Sequence, residues 1–372
     1  MPALDGVRGL AILMVMVLHF IGNTTATNRF EGAVCSVAVY GEYGVDLFFV
    51  LSGFLITGIL SDARSSRHYF KNFYIRRALR IFPLYYAVLA VVFFAGGLLP
   101  FISADELATL RANQAWAWLY GVNIYIAKEG HFALPYLDHF WSLAVEEHFY
   151  FVWPLLVWLA SPRTLLRLSV AVFFAAFALR VACSLAHVNE VAIYVLTPFR
   201  LDALALGGFL SVFARTPGGL AKIEMVLRPT AIVAAIALVA LYAFGRATPW
   251  GVEVFRPVRN ELILALLTSI LLGALTAAPG APFSVVFGSG LMRFFGKYSY
   301  GLYVFHHFVS YWCSHHQSEF IVARWVGSHT LAVALQATFG FAVSILVALA
   351  SFHLFEKRAL ALKRFWSSGP PH

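Results

Sequence analysis

Ten apolar stretches divide the sequence, near 9–22, 45–60, 81–99, 141–160, 168–187, 193–213, 229–245, 260–278, 299–317 and 331–352. Each reaches, or nearly reaches, the roughly 20 residues a helix needs to cross a bilayer. Lipid offers the backbone no hydrogen-bond partner, so these stretches confine the chain to an all-α polytopic integral membrane fold. The first two are short for a full crossing, and the second is allowed to begin near Val34. Charged residues make up 12% of the 372 and mean hydropathy is +0.77, against about 25% charged in a soluble protein. That leaves no room for an additional soluble domain of ordinary size, so residues 1–372 are expected to form one membrane domain. The opening MPALDGVRG runs straight into an apolar helix with no small-residue cleavage site behind it. Cys35, Cys183 and Cys313 are scattered and suggest no disulfide framework.

Charge orients the spans. The net charge is +9, and the basic residues flank the apolar stretches, which points to membrane orientation and away from nucleic acid. An eleventh segment, 115–127, is short. If it does not cross, about 18 of the 27 Lys and Arg fall in cytoplasmic segments and about 7 outside. If it crosses, the split becomes about 12 and 13, which violates the positive-inside rule. The sequence therefore predicts about ten transmembrane helices with both termini cytoplasmic, and a re-entrant or interfacial 115–127 on the outer side. The densest basic stretch, Arg64, Arg67, Lys71, Arg76, Arg77 and Arg80, follows the second span. Arg76, Arg77 and Arg80 cluster at i,i+3 and i,i+4 spacing. Pro83, just beyond, is expected to break or kink the third span.

Ionisable groups lie at membrane depth. Arg8 and His19 are eleven residues apart in the first span. On an α-helix they share one face, roughly 16 Å apart along the axis. Asp46 lies in the second span. Glu146, Glu147 and His148 lie in the fourth, Arg200 and Asp202 in the sixth, and Tyr303, His306 and His307 in the ninth, with Tyr298 immediately before it. Each charge costs about 2.5–3.5 kcal/mol at a helix centre on insertion scales, so the groups are expected to line one polar interior. Ser142, Glu146, Tyr150 and Trp153 fall on one helix face, with Glu147 rotated by about 100°. Glu146 is therefore the inward candidate and Glu147 its interfacial neighbour.

These residues together resemble the membrane-bound acyltransferase family three, whose members O-acylate cell-surface glycans. The resemblance covers nearly the whole chain. It rests on Arg8 and His19, the run GVDLFFVLSG from Gly44 to Gly53, and Arg76-Arg-Ala-Leu-Arg80 before Ile-Phe-Pro. Further matches are Trp141-Ser-Leu-Ala-Val-Glu146 with Phe149-Tyr150, Arg200-Leu-Asp202, and Ser299-Tyr-Gly-Leu-Tyr303-Val-Phe-His306. Gly301 departs from the serine or similar small residue the pattern expects. The sequence stops at Pro370-Pro-His372, so it resembles the stand-alone type that lacks an SGNH hydrolase-like domain.

The resemblance implies an acyl donor, usually acetyl-CoA, at the cytoplasmic face, with no tightly bound cofactor. It implies a glycan or lipid-linked sugar hydroxyl as acceptor and the bacterial inner membrane as location. The residues fit it. Arg76, Arg77 and Arg80 make a clamp for the donor's phosphates, or else a plain positive-inside anchor. Arg8 contacts donor phosphate, holds a carboxylate such as Asp5, or anchors the helix. His19 serves as general base or transient acyl carrier. Glu146 orients or deprotonates His19, or pairs with an arginine such as Arg200. Asp46 does the same, or lies in a span whose Ser52-Gly53 serves helix packing. Ser142, Tyr150, Arg200, Tyr303 and His306 are expected along the substrate path. No metal centre is expected, because the side chains of each adjacent His pair point about 100° apart. The alternative function is a proton-coupled secondary transporter, which also needs intramembrane charge; paired interrupted helices in two related halves, which would favour it, are not evident.

Overall fold

Helices are the only regular secondary structure among the described residues of the computed structural model, which covers residues 2–247 and 255–366. Met1 and the closing Pro370-Pro-His372 lie outside them. In chain order the α-helices are α1 Pro2–Val17, α2 Arg29–Ala38, α3 Tyr43–Asp62, α4 Tyr69–Ala95, α5 Ala104–Ala112 and α6 Gln114–Trp118. They continue with α7 Val122–Glu129, α8 Trp141–Leu159, α9 Pro162–Leu185, α10 Glu190–Val195, α11 Leu201–Ala214 and α12 Gly219–Ala247. The last are α13 Arg256–Thr276, α14 Pro282–Gly288, α15 Gly290–His315, α16 Ser318–Val326, α17 His329–Ser351 and α18 Lys357–Ala361. Two π-turns, Leu18–Gly22 and Phe352–Glu356, extend α1 and α17.

Among the described residues, seven helical runs are long and apolar enough to cross a membrane: Pro2–Gly22, Arg29–Asp62, Tyr69–Leu98, Pro162–Leu185, Gly219–Ala247, Arg256–Thr276 and His329–Phe365. The stretches 141–160 and 299–317 correspond to α8 and α15, both helical and rich in polar groups. The stretch 193–213 is not one helix. Leu196 is extended (ψ 138°), a 3-10 turn follows over Thr197–Phe199, and α11 has only 14 residues. Pro198 accounts for the break, since it supplies no N–H to a continuing helix and disfavours helical backbone just before it. The segment 115–127 is also divided, between α6 and α7, where Tyr120 takes a left-handed φ of 55°. Neither piece is long enough to cross. Of the break or kink expected at Pro83, a break does not occur: α4 runs on from Tyr69 to Ala95 with Pro83 inside it. Apolar side chains left exposed on α9 and α12, among them Phe174, Leu179, Ile232, Ile236 and Val239, suit contact with acyl chains.

The chain groups into two compact units, with α1, α8 and α15 each contributing to both. The first comprises Met1–Ala11, Tyr43–Asp62 and Phe149–Lys297. Its centre is the close pairing of α3 with α11, which glycine permits. A Cβ on Gly53 would stand 2.0 Å from the Leu204 carbonyl oxygen, and one on Gly207 would stand 2.0 Å from that of Val50. Small residues bring helix backbones together in lipid, where the hydrophobic effect does not. Beside this contact the Ser52 and Tyr150 hydroxyls share a short hydrogen bond, and Trp153 donates to Thr57 Oγ1 at 2.8 Å.

Buried charge in this unit is paired. Arg200 meets Asp46 at 3.0 Å, donates to the Tyr194 carbonyl at 2.6 Å and lies over the Tyr194 ring. Arg180 bridges Asp202 and Glu261, the latter at 2.8 Å. Arg8 pairs with Asp5 at 2.7 Å. The second unit comprises Ile12–Glu42, Ala63–His148 and Tyr298–His372. In it, Phe20 packs against Gly340 of α17 and stands near Phe341, while Tyr300 of α15 donates to the Ile81 carbonyl of α4 at 2.7 Å.

Two outcomes follow for stability. Gly207→Ala should cost about 1–3 kcal/mol by overpacking. Gly32→Ala, where nothing lies within 4 Å of the new methyl, should be neutral or slightly stabilising. Thermal unfolding in detergent checks the pair. Arg200→Ala should cost about 3–5 kcal/mol, because it strands the Asp46 carboxylate. The double variant Asp46→Leu/Arg200→Met should recover most of that loss in the same measurement.

Candidate functional site

Three histidine rings meet in the second unit. His19 stands in the π-turn that closes α1, His306 and His307 lie on α15, and the three rings offer nitrogens all within 4.8 Å of one another. The His19 ring is edge-on to both neighbours, with centroids 4.9 Å from His306 and 5.1 Å from His307. The 100° between adjacent side chains on α15 is thus no obstacle to convergence, because a ring from α1 inserts between them. A fourth ring, His139, lies 4.6 Å from His307.

Backbone carbonyls fix the tautomers. His306 Nδ1 lies 2.8 Å from the Tyr303 oxygen and 3.0 Å from that of Leu302. A carbonyl only accepts, so Nδ1 carries the proton and a neutral His306 has its lone pair at Nε2. The same reasoning applies to His19, whose Nδ1 lies 2.9 Å from the Val15 oxygen. Its lone pair is therefore at Nε2. His306 Nε2 stands 3.4 Å from His19 Nδ1, a long second acceptor for the same proton. His139 Nε2 donates to the Val304 carbonyl at 3.2 Å. His307 differs, since both its ring nitrogens are buried with no hydrogen-bond partner among the described residues.

The carboxylates lie elsewhere. No carboxylate bonds His19 among the described residues, so neither Glu146 nor Asp46 is in place to orient it. Glu146 faces Arg77, at 4.0 Å, and not Arg200, whose partner is Asp46. Glu147, expected at the interface, has a buried Oε1 with no hydrogen-bond partner among the described residues. Ser142 and Tyr303 share a hydrogen bond of 2.6 Å, and the Tyr303 hydroxyl donates to the His139 carbonyl at 2.6 Å. The Tyr303 ring stands 5.5 Å from that of His139 and 5.7 Å from that of His306. Tyr150 and Arg200 belong to the packing and ion pairs of the first unit. Asp138 accepts the Leu134 amide at 2.8 Å in the turn that sets His139, and burial lifts its carboxyl to about 7.

Arg76, Arg77 and Arg80 lie on the first half of α4. They share an electrostatic neighbourhood with Lys363, from the 3-10 turn Leu362–Phe365. Arg76 also donates to the Trp366 carbonyl at 3.3 Å. The return of the chain after α17 thus adds a fourth cation to the arginine trio. Sequence reasoning missed Lys363 because nearly 300 residues separate it from Arg80. It missed His139 because a histidine just before Trp141 carries no spacing signal of its own.

Comparison with known proteins assigns the family. Residues 1–353 match the model described as an acyltransferase domain. The peptidoglycan O-acetyltransferase OatA of Listeria monocytogenes is 28% identical over 325 residues, covering 82% of this chain and 49% of its own. The putative peptidoglycan O-acetyltransferase YrhL of Bacillus subtilis is 28% identical over 333 residues, covering 82% and 48%. The O-acetyltransferase OatA of Staphylococcus aureus is 25% identical over 323 residues, covering 82% and 50%. The chain therefore spans about half the length of these relatives, and no solved structure matches it. With the family model running from the first residue through α17, the chain belongs to the membrane-bound acyltransferase family three.

Proposed function

We propose that this chain is an O-acyltransferase of the bacterial inner membrane. It moves an acyl group, acetyl by analogy with the relatives' names, from cytoplasmic acyl-CoA to a hydroxyl of an envelope glycan or lipid-linked sugar. The observation that carries the reading is the His19 tautomer. With Nδ1–H committed to the Val15 carbonyl, Nε2 holds a lone pair in the neutral ring. That nitrogen takes the acceptor's hydroxyl proton as the oxygen attacks the thioester carbonyl. The tetrahedral adduct then collapses, the C–S bond breaks, and the proton held on His19 passes to the departing thiolate. His19 ends as it began.

Donor binding falls to the basic cluster. Guanidinia match phosphate oxygens in geometry and charge, and Arg76, Arg77, Arg80 and Lys363 gather four cations in one neighbourhood. The positive-inside rule puts this cluster on the cytoplasmic side, where acyl-CoA is found. Ser142 and Tyr303, joined at 2.6 Å, offer hydroxyls to the substrates near the histidines. Glu146, 4.0 Å from Arg77, positions that guanidinium within the clamp and takes no proton from the acceptor.

Inverted vesicles supplied with labelled acetyl-CoA test this. His19→Ala should lower label transfer to glycan by about 10²–10⁴-fold, the range of a lost general base. Arg80→Ala should raise KM for the donor by about tenfold and leave kcat nearly intact, as loss of a charge-assisted phosphate contact would. Undiminished transfer by His19→Ala would overturn the base assignment, and absence of label from wild-type glycan would overturn the enzyme.

A further inference from the structure

We propose that His19, His306 and His307 form a binding site for a divalent transition ion of the zinc class, and that the ion silences the His19 base by reversing its tautomer. The binding half of the proposal stands apart from acyl transfer. The silencing half rests on the function proposed above.

Distance comes first. Two imidazole nitrogens on one tetrahedral zinc, each at about 2.0–2.1 Å, stand about 3.3–3.4 Å apart. His306 Nε2 and His19 Nδ1 are separated by 3.4 Å, which is long for a hydrogen bond and right for a shared ion. One nitrogen from each of the three rings lies within 4.8 Å of the other two, so closing to tetrahedral spacing asks for movements of at most about 1.4 Å. Such movement costs His307 no protein hydrogen bond, since both its nitrogens lack one among the described residues. A buried polar atom without a partner calls for an explanation, and an ion is one.

Orientation agrees with distance at His306, while His19 must turn its Nδ1 away from the Val15 carbonyl to bind. Metal-binding histidines almost always give their other ring N–H to a carbonyl or carboxylate, which points the lone pair at the ion. His306 does this, with Nδ1 held by the Leu302 and Tyr303 carbonyls and Nε2 turned towards His19. The donor set is three neutral imidazoles, which suit zinc and its neighbours and not the oxygen-seeking cations. The fourth position is left for water, whose deprotonation lowers the charge at the site.

The chemical consequence follows from proton balance. Coordination through His19 Nδ1 displaces the proton now given to Val15. The neutral ring then carries its single N–H at Nε2, so one proton leaves Nδ1, one arrives at Nε2, and the ring's charge is unchanged. The lone pair that would accept the acceptor's proton is gone.

The test reads binding directly. The full chain, purified with a histidine-free tag and stripped by chelator, is titrated with Co²⁺ while tetrahedral visible absorption is followed, and Zn²⁺ is then added as competitor. One Co²⁺ per chain is expected, displaced by Zn²⁺. His306→Gln and His307→Gln should each weaken binding by at least about tenfold, since even second-shell losses cost 10–100-fold. The His315→Gln/His316→Gln pair should bind as wild type, and thermal unfolding reports whether each variant is folded. In the transfer assay Zn²⁺ should inhibit, chelator should restore activity, and His307→Gln, measured against its own metal-free rate, should need at least about tenfold more Zn²⁺. No tetrahedral Co²⁺ spectrum, or equal Co²⁺ affinity in folded His307→Gln, overturns the site. Co²⁺ binding at the three histidines with no inhibition by Zn²⁺ overturns the silencing. Binding that persists in a protein transferring no acyl group overturns only the function proposed above.

Discussion

A helix carbonyl that takes the Nδ1 proton of a histidine decides where that ring keeps its lone pair. In this protein the Val15–His19 contact makes that decision at 2.9 Å, and the chemistry proposed for the second unit depends on it. Free imidazole passes between two neutral forms, only one of which presents a base in a given direction. Here the choice is built into the backbone four residues back. His306 repeats the device with two carbonyls, so the two facing rings are complementary, Nδ1–H on one and Nε2 lone pair on the other.

The two units differ in part of their buried polarity. In the first, each buried guanidinium has its carboxylate: Arg200 has Asp46, and Arg180 has Asp202 and Glu261. Pairing of this kind removes net charge from the interior and fixes helix register. In the second unit the buried histidines can remain neutral and need no counter-ion. They keep lone pairs available for a proton, a substrate or an ion. Paired charge occurs in both units, Arg77 with Glu146 and His329 with Glu31 in the second, and the cluster of imidazoles is what sets the second apart.

Much of this is legible in the amino-acid sequence. The apolar stretches dictate the all-helical class, and the arginine trio follows from local i,i+3 and i,i+4 spacing. Local backbone events are harder to read. Pro198 ends a helix while Pro83 does not, because tertiary packing decides whether the lost hydrogen bond is tolerated. The π-turn at Leu18–Gly22 has no compositional signature, although such turns gather at functional sites. Partners distant in the chain are least legible. Asp46 with Arg200, Lys363 with Arg80, and His19 between His306 and His307 each depend on which helices are neighbours. Periodicity places a residue on a face and says nothing of what stands opposite. The expectation that a carboxylate would orient His19 failed for that reason.

A carbonyl in that position has physical consequences of its own. A carboxylate behind an imidazole raises its basicity and stabilises the imidazolium, but in lipid it brings a charge costing about 2.5–3.5 kcal/mol to insert. The Val15 carbonyl fixes the same tautomer with a dipole the helix already possesses. The ring takes its direction from the backbone and brings no second ionisable group into the helix bundle.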